Sequence, residues 1–242
     1  MKILALDSSG LVASVAVVED DNCIAEYTIN YKKTHSQTLL PMLDEVCKMI
    51  DLELASLDAI AVAAGPGSFT GLRIGSATAK GLGQALNKPL IGIPTVDGLA
   101  YNLYGCEKVI CPLMDARRNQ TYTGLYEFVS EEKEYKLHTI RQQCAVALEE
   151  IVEEINALGR EVIFLGDGVP VFAAQLEEKV KVPFSYAAAS CNRQRAAVIG
   201  TLALRYIREG KIQRPEEHQP EYLRLSQAER ERNEEMKCGN CN

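Results

Sequence analysis

Apolar and polar positions along this chain trade places in two recurring rhythms. Lys2 to Leu6 is a short apolar run that stops at Asp7-Ser8-Ser9-Gly10. Val12 to Val18 alternates and turns at Glu19 to Asn22, and Cys23 to Ile29 supplies a third run. Three such runs joined by tight polar turns predict an antiparallel meander. From His35-Ser36 the period lengthens to that of a helix reaching Ile50, with Leu39, Met42, Leu43, Val46, Met49 and Ile50 on one face. Leu40 and Cys47 widen that stripe beyond what one sheet contact needs, and Pro41 either starts the regular part or kinks it. Ala59 to Ala64 reads as a buried strand that closes at Gly65-Pro66-Gly67, after which Ser68 or Thr70 caps a helix running to about Leu86. A strand from Pro89 to Pro94 and a short helix from Thr95 to Tyr104 complete the order βββαβαβα.

The same rhythm then returns. Lys108 to Met114 is a strand ending in Asp115, and a turn at Arg117-Arg118-Asn119 leads into strands Thr121 to Phe128 and Tyr135 to Ile140. Cys144 to Leu158 reads as a helix with Leu148, Ile151, Val152 and Ile155 inward. Val162 to Leu165 is a strand ending at Gly166-Asp167-Gly168, and helices follow at Val169 to Val180 and Arg195 to Arg208. Two halves of like order predict an α/β fold made by internal duplication, with a cleft between the halves. The expected division is a first domain over 1–105, a second over 106–214, and a C-terminal segment over 215–242 whose last part, from Ala228, is highly charged and reads as frayed.

The stretch Ala61 to Leu86 carries the most information. Strand, glycine turn and helix start make an anion-binding corner, because the first helical N–H groups are unpaired and the helix dipole is positive there. The loop nevertheless fits no standard template: no GK pair follows it, the third glycine of GxGxxG arrives one residue late at Gly71, and Pro66 breaks GxSxG. Gly71, Gly75, Ala79 and Gly83 recur at i+4 and leave one helix face nearly bare. Each glycine costs a helix about 0.8–1 kcal/mol relative to alanine, so close approach by another element is expected to offset it. One reading makes the two long helices a subunit interface built from Leu39, Met42, Leu43 and Val46 with Gly71, Leu72, Gly75, Ala79, Leu82 and Gly83. The other seats the bare stripe on the chain's own sheet.

Composition narrows the function. The 242 residues are 47% hydrophobic, enough for a large core, and the net charge of −7 argues against a surface that grips RNA unaided. MKILALD does not read as a signal peptide, and no run approaches the ~18 apolar residues of a membrane helix, so a cytoplasmic protein is expected. The eight cysteines are scattered, mostly in apolar runs, and read as reduced thiols. Cys238 and Cys241 form a CxxC in the polar tail, without the second pair a zinc site needs. The three histidines, His35, His138 and His218, lie far apart, and His35 at a helix start reads as a local hydrogen-bonding residue.

At this point the residues carry a resemblance. Two βββαβαβα halves, each opening with strand, Asp, turn and strand, resemble the actin, sugar kinase and heat-shock chaperone superfamily, an RNase H-like ATPase fold. Within it, GPGSFTGLRIG is similar to the signature of the bacterial TsaB family, also called YeaZ. DSS near the amino terminus, His35 to Leu43, Ile91 to Ala100, Met114 to Tyr122 and Pro220 to Arg224 match that family too. The resemblance implies a non-catalytic, dimerising subunit for the threonylcarbamoylation of the tRNA adenosine beside the anticodon. Its partners would be the catalytic paralogue TsaD and the ATPase TsaE, with a homodimer when the paralogue is absent and tRNA met only through the complex. The paralogue carries a metal-binding HxxxH after its IP strand; the matching places here are Thr95 and Leu99, so no catalytic or metal residue is expected. Superfamily ATPases use Asp-x-Gly at each strand turn, whereas these turns read Asp7-Ser8-Ser9 and Asp115-Ala116-Arg117. Asp7, Ser8, Ser9, Asp115 and Asp167 would then line a vestigial nucleotide cleft that takes no cofactor, or ATP or ADP only weakly or with the partner. The alternative is an active ATPase, kinase or metallo-glycoprotease-like enzyme of the same superfamily; a chaperone-like regulatory module is a third reading.

Overall fold

The computed structural model describes residues 1–224. The CxxC at Cys238 and Cys241 and the charged tail lie outside the described residues. The first half runs β1 (Lys2–Asp7), β2 (Val12–Glu19), β3 (Asn22–Asn30), α1 (His35–Met49), β4 (Ala59–Gly65), α2 (Phe69–Leu86), β5 (Leu90–Pro94) and α3 (Thr95–Tyr101). The second runs β6 (Val109–Asp115), β7 (Gln120–Glu131), β8 (Glu134–Ala147), α4 (Leu148–Leu158), β9 (Val162–Leu165), α5 (Val169–Lys179), β10 (Phe184–Tyr186) and α6 (Ala196–Arg208). The sheets have the orders β3-β2-β1-β4-β5 and β8-β7-β6-β9-β10, the same path taken twice. In each, the first three strands are antiparallel and the last two parallel to the central one. This is the duplicated actin-like architecture.

Strand alternation decides what covers each face. In β1, Leu4 and Leu6 face one way with Val15, Val17, Ile60 and Val62, and α1 and α2 cover them. Ile3 and Ala5 face the other way with Ala16, Ala59, Ala61 and Ala63, a face of mostly small side chains that α6 covers. The second sheet buries α4 and α5 on one face, through residues such as Leu148, Ile151, Phe172 and Leu176. Its other face takes Val96, Leu99 and Ala100 of α3. The last helix of each half thus packs on the other half's sheet, so chain order and packing divide the molecule differently.

Three local expectations are corrected. The α4 helix starts at Leu148 rather than Cys144, because Cys144 to Ala147 pair with Thr123 to Gln120 and belong to β8. The α3 helix stops at Tyr101. Strand β10, three residues paired parallel to β9, carried too little sequence to show a period.

The larger correction concerns the bare stripe of α2. A Cβ at Gly71 would lie 2.1 Å from the Ser8 carbonyl oxygen, and one at Gly75 would lie 2.5 Å from Ser8 Oγ. One at Gly83 would lie 2.9 Å from Pro215, and Ala79 is fully buried. Leu72, Leu39, Met42, Leu43 and Val46 are 1–5% exposed in the core beneath, and Leu82 is half-buried at its edge. Nine of these ten residues are thus buried within the chain itself, Leu82 being half-buried: the glycines let α2 sit on its own sheet and on the Ser8 turn. Each large side chain in that core contributes about 1.5–3 kcal/mol to the fold.

Candidate functional site

The carboxyl ends of β1, β4, β6 and β9 converge between the two halves, where open α/β sheets place their ligands. There they enclose a cleft of about 360 Å³ whose walls include Ser9, Ser68, Asp115, Tyr122, Asp167 and Arg224. Of the residues expected to form a nucleotide cleft, Ser9, Asp115 and Asp167 meet here. Asp7 and Ser8 lie behind the wall, 1% and 2% exposed.

Each wall is built by a turn closing on glycine. Ser68 is the N-cap of α2, its hydroxyl accepting from Gly71 N at 3.3 Å, so Ser68 and not Thr70 starts the helix. The amide of Ser68 is spent on the Ser9 carbonyl at 2.7 Å, and a Cβ at Gly67 would lie 2.2 Å from that oxygen. Ser8 Oγ donates to the Gly71 carbonyl at 2.9 Å. In the second half Gly168 N donates to the Leu113 carbonyl at 2.9 Å, and a Cβ at Gly166 would lie 2.1 Å from it. The same device, glycine against the end of the central strand, thus appears in both halves. In the first half it is the Ser8–Ser9 turn that packs against Gly67 and Gly71.

The two turn aspartates serve their own turns. Asp7 Oδ1 accepts from Ser9 N at 2.9 Å and Ser9 Oγ at 2.6 Å. Burial outweighs these bonds and pushes its carboxyl up to about 6. Asp115 Oδ1 accepts from Arg117 N at 2.8 Å, while Arg117 Nη1 lies 3.2 Å from Asp115 Oδ2. Arg117, Arg118 and Asn119 all take left-handed backbone angles, with φ of 65°, 56° and 57°, an uncommon strained run beside a cleft. Asp167 is raised above the usual carboxylate range by burial, and its Oδ1 has no hydrogen-bond partner. His35 Nε2 donates to the Gly10 carbonyl at 2.8 Å, and its buried Nδ1 is unpartnered.

The sequence reading did not place Phe69, Tyr122 or Glu221 to Arg224 in this cleft. Tyr222 packs on Phe69 with ring centroids 4.9 Å apart and planes tilted by 39°, and Arg224 donates to the carbonyl of Ala116. The only signal was the Pro220 to Arg224 motif, which says nothing of where it folds. Among the described residues no group of three His, Cys, Asp or Glu side chains is placed to hold a metal.

Fold and cleft define the class: a duplicated actin-like protein whose strand turns depart from the Asp-x-Gly form. The chain matches the family model described as TsaD, tRNA N6-adenosine threonylcarbamoyltransferase, over residues 22–232. It is 32% identical to the tRNA threonylcarbamoyladenosine biosynthesis protein TsaB of Bacillus subtilis, over 95% of this chain and 96% of that one. It is 29% identical to the Escherichia coli protein of the same name, over 69% of this chain and 72% of that one. The solved structure of YeaZ from Pseudomonas aeruginosa superposes with a TM-score of 0.76 at 26% identity, covering 92% of this chain and 99% of that one. The chain belongs to the TsaB (YeaZ) family, the tRNA threonylcarbamoyladenosine biosynthesis proteins related to TsaD.

Proposed function

We propose that this chain is the non-catalytic, cytoplasmic partner subunit of a tRNA threonylcarbamoylation complex. It would act by pairing with a TsaD-like catalytic paralogue, alongside a TsaE-like ATPase. The observation that carries this reading is the use made of α3. Thr95 and Leu99 stand where the resemblance implies the paralogue's metal-binding histidines, and both are 1% exposed. Leu99 packs with Ile110, Met114, Tyr126 and Leu165. Asp97 between them accepts from Tyr126 at 2.7 Å and Tyr206 at 3.4 Å. The helix is thus a strut between the halves, with its side chains committed to packing.

For pairing, the outer faces of α1 and α2 are the candidate surface. Arg73, Ala77, Gly81 and Ala85 are exposed along α2, and a Cβ at Gly81 would meet nothing within 4 Å. On α1, Leu40 and Met49 are 53% and 74% exposed. A small-residue stripe flanked by apolar side chains fits an approaching helix pair of a like subunit.

The test is reconstitution with the paralogue, the ATPase and tRNA. Modified adenosine should form only when this chain and the paralogue are both present. The Gly81→Leu variant should keep its fold and bind the paralogue about 5- to 150-fold more weakly, the effect of 1–3 kcal/mol of overpacking. Product from this chain alone, lost on Asp7→Ala, would overturn the reading in favour of an enzyme.

A further inference from the structure

The segment 211–224 leaves α6, runs over the first half and ends on the second. Gln213 and Leu90 exchange both backbone hydrogen bonds at 2.9 Å, fastening the segment to the start of β5. Further on, Glu221 N donates to the Ala64 carbonyl at 2.7 Å, at the end of β4. Its last residues cross the cleft: Glu221 Oε2 accepts from Gln143 Nε2 at 2.8 Å, and Arg224 donates to the carbonyls of Ala116 and Arg117. Glu221, Tyr222, Leu223 and Arg224 all line the cleft.

At the middle sits His218, 1% exposed. Its Nε2 lies 2.9 Å from Ser76 Oγ on α2 and its Nδ1 lies 3.2 Å from Gln213 Oε1. A carbonyl oxygen only accepts, so Nδ1 carries a proton; in the neutral ring Ser76 then donates to Nε2. Serine, imidazole and amide in this order have the connectivity of a nucleophile, its base and an orienting group. Ser76, however, is 4% exposed and the ring lies against Gly92, so no substrate reaches the hydroxyl. The arrangement fastens two elements together.

We propose that residues 211–224 are a latch holding the two halves at a fixed cleft opening, and that protonation of His218 releases it. The surroundings of the ring provide the reason. Neither ring partner is anionic. From α2, Lys80 places its ammonium 3.0 Å from the His218 carbonyl and 3.3 Å from that of Glu216. From the segment itself, the Glu217 carboxylate is tied to Arg214, that of Glu221 to Gln143, and Glu216 is exposed. Strands β4 and β5 present Ala64, Leu90 and Gly92, which are uncharged. An imidazolium here would be buried beside a cation without a counter-charge. Burial first, and Lys80 second, hold the ring's pKa below its ordinary 6.5. The released segment regains the ordinary value and binds the proton more readily. The docked latch is therefore fully favoured above about 6.5, and its open population rises about tenfold for each pH unit as pH falls below that, until the docked ring also titrates.

The experiment is amide hydrogen exchange on the full chain between pH 7.5 and 5.0, corrected for intrinsic exchange. It is paired with NMR titration of the His218 ring, one of three histidines in the chain. The amides of Leu90, Gln213 and Glu221 should lose protection progressively as pH falls from 7.5 to 5, with those of β1 and β6 unchanged. Ser68 and Arg117 in the cleft should follow. In His218→Gln the step should vanish. Protection of these amides that is equal at both pH values in the wild-type chain, or lost only together with β1 and β6, refutes the latch. So does a ring that titrates while the segment stays protected; these three readings require no variant to fold.

Discussion

Asp7 has its carboxyl shut away from the surface, 1% exposed, with Ser9 as its hydrogen-bond partner. Its folded-state pKa of about 6 exceeds the 3.8 of the free side chain, so between these values the folded protein holds the extra proton. The stability this supplies is complete below about 3.8 and is lost as pH rises to 6. Above 6 the buried charge is a standing cost, since each tenfold change in acid strength on folding is worth about 1.4 kcal/mol. Asp7→Asn keeps an acceptor for Ser9 N and removes the charge. We expect it to stabilise the chain by about 1–3 kcal/mol at pH 7 and by almost nothing at pH 4, read from urea unfolding midpoints. A loss of stability at pH 7 would mean that the carboxylate is held by a positive group. The sequence marked Asp7 and Asp115 as equivalent turn residues. It did not reveal that one is sealed in and the other sits at the cleft wall, because enclosure depends on the Gly67 and Gly71 contacts from about sixty residues away.

At the scale of the element, α2 separates two kinds of glycine that look alike in sequence. Gly71 faces the Ser8 carbonyl, whereas Gly81 faces open space. Gly81→Ala should stabilise the chain by about 0.5–1 kcal/mol through helix propensity alone. Gly71→Ala should destabilise it by about 1–3 kcal/mol, since a backbone carbonyl cannot move aside as a side chain can. Thermal unfolding of the two variants side by side checks both signs; equal effects would place the stripe on a different face. The i+4 spacing was legible as a bare face, and the strand–turn–helix as a corner. Which neighbour covered that face was not, because Ser8 and Pro215 come from opposite ends of the chain.

Across the whole molecule, the exchange of α3 and α6 makes the two halves one packed body, sheet on helices on sheet. No described helix is long and apolar enough to cross a membrane. The net charge of −7 predicts that the isolated chain binds tRNA weakly, with an affinity that falls steeply between about 50 and 200 mM salt. Filter binding at the two concentrations measures this, and tight binding at physiological salt would contradict it. The repeated order of strands and helices apart from β10, the positions of the strand turns and most inward-facing residues were determined by the sequence alone. Those properties follow from local periods of about two and 3.6 residues, which any short window displays. The helix exchange, the burial of the glycine stripe, the short β10 and the path of 211–224 into the cleft were decided only by the tertiary structure. Each depends on which apolar or hydrogen-bonding surface finds which other. That is a short-range contact between residues distant in the chain, and periodicity carries no record of it.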